Sequence, residues 1–178
     1  MIRLFAALAI PEAVGLALAG RQQGVEGARW RPLEALHVTL RFVGEIREDL
    51  ARDLDAELTA LHAAPFEIGL QGVGAFGEGP DMQAIWAGVA DSAPLRRLAR
   101  ACETAVRRVG LKADTRHYRP HVTLAYLRHP DPAEVAAWIQ ANNLLKSPPI
   151  RVESFGLYSS FLGGGPAHYR LEASYPLR

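Results

Sequence analysis

The chain has 178 residues, 49% hydrophobic and 22% charged, with a formal net charge of +1. That is the make-up of one globular domain, and it excludes both a disordered chain and binding to nucleic acid through overall charge, so any basic surface is local. The lone cysteine, Cys102, excludes an internal disulfide and a cysteine-based metal site, and it fits a reducing compartment, the cytoplasm.

Leu4–Ile10 reads as a buried strand. Arg3 followed by the apolar stretches 4–10 and 14–20 also resembles a signal peptide, but Pro11 and Glu12 divide the run. Pro11 opens a helix through about Gln23, and the glycines at 24 and 27 end it. No apolar run reaches the ~20 residues of a membrane span. Ala35–Val43 reads as a strand. Glu48–His62 is a helix with Leu50, Leu54, Leu58 and Leu61 on one face. Phe66–Gly72 and Ala84–Ala90 read as strands joined by a Gly/Pro-rich loop. Pro94–Val109 is a helix closed by Gly110. Tyr118–Leu127 is a strand, Pro132–Asn142 a short helix, and Val152–Phe161 with His168–Ser174 a closing hairpin around Gly163–Gly165. The order predicts an α/β or α+β domain with helices packed on two sheets.

The word His-Val-Thr-Leu occurs twice, at 37–40 and 121–124. Alternation along a strand places each His beside its Thr on one face and buries Val and Leu on the other. Two such strands across a cleft surround a small anion with two imidazoles and two hydroxyls. Histidine titrates near neutral pH, so one imidazole can act as base and the other as acid. That pair suits a phosphodiester: the base takes a proton from water and the acid protonates the departing sugar oxygen. The hydroxyls of Thr39 and Thr123 can donate to the non-bridging oxygens. Alternation also predicts Arg41 on the same face as His37 and Thr39. Between Thr115 and Pro130 lie Arg116, His117, Arg119, His121, Arg128 and His129 with Tyr118 and Tyr126 among them, a pattern suited to nucleic acid.

Three other patterns carry no chemistry. Gly72–Gly77 spells G-x-G-x-x-G, but Glu78-Gly79-Pro80-Asp81 cannot open the helix a dinucleotide site needs. Gly163–Gly165 lacks the Lys-Ser/Thr of a P-loop and reads as a turn. Neither motif histidine has a carboxylate at ligand spacing, so the chemistry is expected to use no metal and no cofactor.

The doubled motif resembles the signature of the two-histidine (2H) phosphoesterase superfamily, and within it the RNA 2′,3′-cyclic phosphodiesterases, also called 2′-5′ RNA ligases. The similarity runs nearly end to end. It covers Arg3–Ala7, Trp30-Arg31-Pro32 with Leu36–Glu45, Phe76 with Ile85–Val89, Arg116–Ala125, and Phe155–Ser160 with Tyr169. The resemblance implies a single bilobal α+β domain over 1–178, with two antiparallel sheets flanking a central cleft and helices packed outside. It makes Leu4–Ile10 a strand and not a secretion signal.

It further implies hydrolysis of RNA 2′,3′-cyclic phosphodiester ends to 2′-phosphomonoesters, tRNA fragments among the candidate substrates, with 2′-5′ ligation as the reverse use of the same site. His37 would be the acid that protonates O3′, and His121 the base that activates water; the basic residues near His121 agree with that order. Thr39 and Thr123 would bind the phosphate. Arg41, Phe42, Arg116, Tyr118, Arg119 and Arg128 are the RNA-binding candidates. Many relatives carry Arg where Tyr126 stands, and Arg116 and Arg128 are the candidates for the arginine that grips the phosphate or RNA backbone on that side. A monomer is expected, with no membrane partner. The alternatives are a 2H phosphoesterase acting on a small cyclic nucleotide or an ADP-ribose cyclic phosphate, and a non-catalytic RNA-end binder.

Overall fold

The computed structural model describes Met1–Arg178. In chain order the elements are β1 (Ile2–Ala9), α1 (Glu12–Ala19), β2 (Arg29–Trp30), β3 (His37–Ile46), α2 (Glu48–Thr59), β4 (Phe66–Ile68), β5 (Leu70–Phe76), β6 (Ala84–Val89), α3 (Ala93–Arg108), β7 (His121–Tyr126), α4 (Pro132–Asn142), β8 (Ile150–Val152), β9 (Ser154–Phe161) and β10 (His168–Pro176). The main sheet runs β10-β9-β1-β3-β7-β6-β5, with β2 also paired to β7, and β4 and β8 form a small second sheet. All pairings are antiparallel.

The main sheet is two sheets joined at one point. β3 and β7 meet at a single residue pair, Val38 with Val122. One lobe is β10-β9-β1-β3 and the other is β5-β6-β7-β2. Away from that pair the lobes diverge, which opens the cleft. α2 and α3 pack together and against the first lobe. α4 packs against β5, and its Trp138 lies 6.1 Å from Trp30 of β2 and donates its indole N–H to the Arg21 carbonyl at 2.8 Å, binding α4 to the end of α1. One apolar core of 36 buried residues runs through both lobes. No helix is long and apolar enough to cross a membrane.

The helices form where pattern and caps agree. α3 buries Leu95, Leu98, Ala99, Cys102, Ala105 and Val106 on one stripe. Ser92 caps it by accepting from Leu95 N–H, and Arg107 and Arg108 lie at its negative C-terminal end. Removing Leu98 to Ala would cost about 2–5 kcal/mol by leaving a cavity in that stripe. Cys102 is fully buried on it, and burial alone pushes its thiol up to about 12, so it is inert.

Two expectations need correction. The run expected as one strand from Phe66 to Gly72 breaks at Gly69: its first part pairs with β8, and its second continues to Phe76 through glycines that read as loop. Gly74 is in strand because a Cβ there would lie 2.5 Å from the Trp86 ring, so the glycine lets the indole lie flat on β5. The second motif strand begins at His121 and not at Tyr118. Pro120, just before it, has no N–H to give a ladder.

Candidate active site

The site grows from the Val38–Val122 pair. Both valines are fully buried. In an antiparallel pair, stepping one residue either way sets His37 opposite Thr123 and Thr39 opposite His121. All four side chains share the face opposite the valines, and all four are half-buried. The two motifs are thus related by a local two-fold through the valine pair, with each histidine beside the other motif's threonine.

The two-fold extends to a matched pair of bulges. Between β1 and β3, Ala7 pairs with Thr39 and Ala6 with Arg41, so Leu40 is an extra residue. Between β6 and β7, Trp86 pairs with Thr123 and Ile85 with Ala125, so Leu124 is the extra residue. A bulge reverses the facing of the residues that follow it, up to any further bulge. Phe42 and Tyr126 therefore come to the cleft face, each 39% exposed. Arg41 turns toward α3, which overturns the alternation that set it on one face with His37, although it still borders the cavity that Thr39 and His121 line. It is 9% exposed and ion-paired with Glu103 of α3, and its other nitrogens donate to the Phe42 and Lys112 carbonyls. Its guanidinium holds the fold together and is not free for a phosphate.

Both histidines are oriented in the same way. His37 Nδ1 lies 2.8 Å from the Ala35 carbonyl, and His121 Nδ1 lies 2.6 Å from the Arg119 carbonyl. A carbonyl only accepts, so each Nδ1 carries a proton in both charge states. The nitrogen that gains and loses a proton is Nε2 in each ring. His37 Nε2 is 3.1 Å from Thr39 Oγ1. His37 packs against Phe5 at 4.8 Å and against the edge of Tyr169 at 5.4 Å. Phe76 meets His121 edge-on at 4.7 Å, and Trp86 lies 6.3 Å away.

These walls set the charge states. Burial pushes His37 down to about 4; the bond to Ala35 opposes this, and the charges of Arg31 and His121 push it further down. Burial also lowers His121, opposed by the bond to the Arg119 carbonyl and helped by the Arg119 charge. Both rings are therefore held toward the neutral form at pH 7, His37 the more strongly. The expected order, with His121 the harder to protonate, does not describe this field. Arg41, turned away, is replaced near His37 by Arg31.

The other expected residues divide. Tyr118 is half-buried, and its hydroxyl donates to the Thr39 carbonyl at 2.8 Å, tying the segment before β7 to β3. Arg119 lies over the Phe76 ring at 5.4 Å. Arg116 forms a two-pronged pair with Asp114 and holds its carboxyl below the usual range. Arg116, Tyr118, Arg119 and Phe42 line a cleft of about 800 Å³ that reaches from Thr39 and His121 to Arg96 and Arg100 of α3. Arg128 is exposed and does not line it. Nowhere do three or more His, Cys, Asp or Glu side chains converge as a metal site would need.

Reading for site chemistry missed Arg31, Arg96 and Arg100. Arg31 follows a strand of two residues, too short to show a period. The α3 arginines lie on the polar side of an ordinary amphipathic helix, and only the packing of α3 on β3 brings them to the cleft.

The model of the 2′-5′ RNA ligase superfamily matches residues 12–161. An RNA 2′,3′-cyclic phosphodiesterase of Archaeoglobus fulgidus is 30% identical over 139 residues, 78% of each chain. Another, from Aquifex aeolicus, is 25% identical over 152 residues, 83% of this chain and 81% of its own. A solved structure from Thermus thermophilus superposes with a TM-score of 0.84 at 27% identity, covering 99% of this chain and 98% of that one. Escherichia coli LigT complexed with 3′-AMP shares the fold, with a TM-score of 0.78 at 23% identity over 99% of this chain and 98% of that one. With its two motifs set about one two-fold and its match running through both lobes, the chain belongs to the 2′-5′ RNA ligase superfamily of 2H phosphoesterases.

Proposed function

We propose that the protein is an RNA 2′,3′-cyclic phosphodiesterase that opens the cyclic end to a 2′-phosphomonoester and a free 3′-hydroxyl. The observation that carries this reading is the pairing of motifs about Val38 and Val122, with the Nδ1 atoms of both histidines engaged by backbone carbonyls. Two Nε2 atoms then remain for proton transfer, one from each lobe. A phosphate between them is open to in-line displacement. The oxygen of water attacks phosphorus as its proton passes to one neutral Nε2. The P–O3′ bond breaks as the other Nε2–H protonates O3′. The hydroxyls of Thr39 and Thr123 donate to the non-bridging oxygens as their charge grows. By resemblance His37 is the acid and His121 the base. Since burial and Arg31 disfavour a charged His37, that order needs the negative charge of the bound phosphate to draw a proton onto it.

A 5′-hydroxyl in place of water would give a 2′-5′ linkage through the same atoms, which is the ligation reading. RNA is favoured over a free cyclic nucleotide because Arg96, Arg100, Arg116 and Arg119 continue the cleft beyond His121. The test offers an RNA with a 2′,3′-cyclic end and a cyclic mononucleotide in excess EDTA. Faster opening of the RNA end to a 2′-phosphate is expected. Equal or faster turnover of the mononucleotide would assign a small substrate. No turnover of either would make the protein a binder of RNA ends, and loss on chelation restored by a divalent ion would remove the metal-free mechanism.

A further inference from the structure

We infer that Arg31 is the anion-binding guanidinium of the His37 side of the cleft and grips a non-bridging oxygen of the substrate phosphate. Its backbone is fixed: Arg29 and Trp30 pair with Tyr126 and Ala125, and Arg31 N–H donates to the Leu124 carbonyl at 2.8 Å, at the β7 bulge. Its side chain is 8% exposed. The guanidinium lies 5.2 Å from the Tyr126 ring and 5.6 Å from the Tyr169 ring. Its one side-chain hydrogen bond goes to the Tyr169 hydroxyl at 3.0 Å.

No carboxylate pairs with it. The chain's other buried arginine, Arg41, has Glu103 and two backbone carbonyls. Burying a cation beside two rings with no counter-charge is costly, and removing such a charge normally relieves a protein. The cost makes sense where a ligand brings the missing anion. The place agrees. Tyr169, which holds Arg31, also meets His37 edge-on, and the charge of Arg31 is felt at His37. A guanidinium there can grip phosphoryl oxygens, and its attraction grows as the phosphoryl group goes from one negative charge toward two in the transition state. Tyr126 shares that cleft face and packs on Arg31, so an arginine at 126 can reach the same volume.

The phosphate-gripping role rests on the phosphodiesterase reading; the anion site itself does not, so inorganic phosphate is the first probe. Phosphate is titrated into the full chain while the imidazole 15N signals of His37 and His121 are followed, in wild type, Arg31→Met, Arg31→Lys and Arg31→Met/Tyr126→Arg. Turnover of the cyclic-ended RNA is measured in parallel. Arg31→Met should weaken phosphate binding at least tenfold and lower kcat/KM by about 100-fold, and the phosphate-free His37 should become easier to protonate. Arg31→Lys should recover part of both, and the double variant most of both, with urea midpoints near wild type. Unchanged phosphate affinity in Arg31→Met would overturn the inference. So would a loss that neither restored charge repairs in a destabilised protein, the mark of a structural arginine. Phosphate binding lost with Arg31 in a wild-type protein that opens no cyclic end would keep the anion site and remove the phosphodiesterase reading.

Discussion

His37 Nε2 and Thr39 Oγ1 lie 3.1 Å apart, and their bond must reverse when His37 takes a proton. With Nδ1 held by the Ala35 carbonyl, the neutral ring presents a bare Nε2, and the Thr39 hydroxyl donates to it. Once Nε2 is protonated it becomes the donor, and the hydroxyl proton is released toward whatever anion occupies the cleft. Charging His37 and arming Thr39 are thus one event, and a phosphate favours both. His121 and Thr123 have no such bond, although their backbone is the two-fold mate. The halves match in strand geometry and differ in hydrogen bonding.

The pH profile follows from the two depressed histidines. The kcat/KM curve reports the free enzyme, so its bell should lie on the acid side of the ordinary histidine value near 6.5 and fall as pH rises through neutrality. The kcat curve reports the complex and should sit higher, because bound phosphate raises His37. Rates on a cyclic-ended RNA across pH check this; a kcat/KM optimum above pH 7 would contradict the field described.

The same shift makes a stability statement. The folded pKa of His37, about 4, is below its unfolded value, so the unfolded chain binds more protons between the two. The contribution is present above the unfolded pKa and is lost as pH falls through the folded one. Wild type should lose stability relative to His37→Gln as pH falls from 7 toward 4, read as a steeper fall of its urea midpoint. A constant gap would mean that His37 titrates normally.

The two threonines should separate. Thr39→Val and Thr123→Val each remove a phosphate donor and should slow turnover ~10–1000-fold by analogy with lost oxyanion donors. Thr39→Val should also shift the titration of His37 in the free protein, and Thr123→Val should leave it in place. Both keep the strand's shape, so unfolding midpoints should barely move. Full activity in both would make the hydroxyls structural.

Arg41 and the exposed arginines along the cleft should behave oppositely. Arg41→Ala leaves the half-buried Glu103 carboxylate with only the Asp114 N–H as partner and should cost about 1–3 kcal/mol of stability. Arg100→Ala and Arg119→Ala should leave stability alone, weaken RNA binding, and each reduce the slope of log K against log salt by about 1. RNA affinity independent of salt would argue for a small substrate.

The motif strands and the histidine pair were legible because alternation works locally: His37, Thr39, His121 and Thr123 need only period two to share a face. Arg41 was misplaced by the same rule, because the bulge at Leu40 depends on how β1 pairs with β3, and nothing in residues 37–46 alone announces it. The break at Gly69 and the three-residue strand β8 depend on each other across the chain in the same way. Arg31 was unreadable as a site residue because its role comes from Tyr126 and Tyr169, distant in sequence and adjacent only after the lobes assemble.

The roles of the two histidines can be separated through the leaving group. An acid matters in proportion to how much the departing oxygen needs a proton, and a base matters whatever leaves. His37→Ala and His121→Ala should each nearly abolish opening of a cyclic end while leaving the fold intact, since neither ring is part of the apolar core. With a substrate whose leaving group is a nitrophenolate, the variant lacking the acid should recover most of its rate and the variant lacking the base should not. If phosphate draws the proton onto His37, recovery belongs to His37→Ala. Burial and the charge of Arg31 hold His37 neutral, so recovery of His121→Ala instead would mean that the field persists in the complex, with His37 as base and His121 as acid. Near-normal rates on the natural end in either variant would refute a mechanism that needs both.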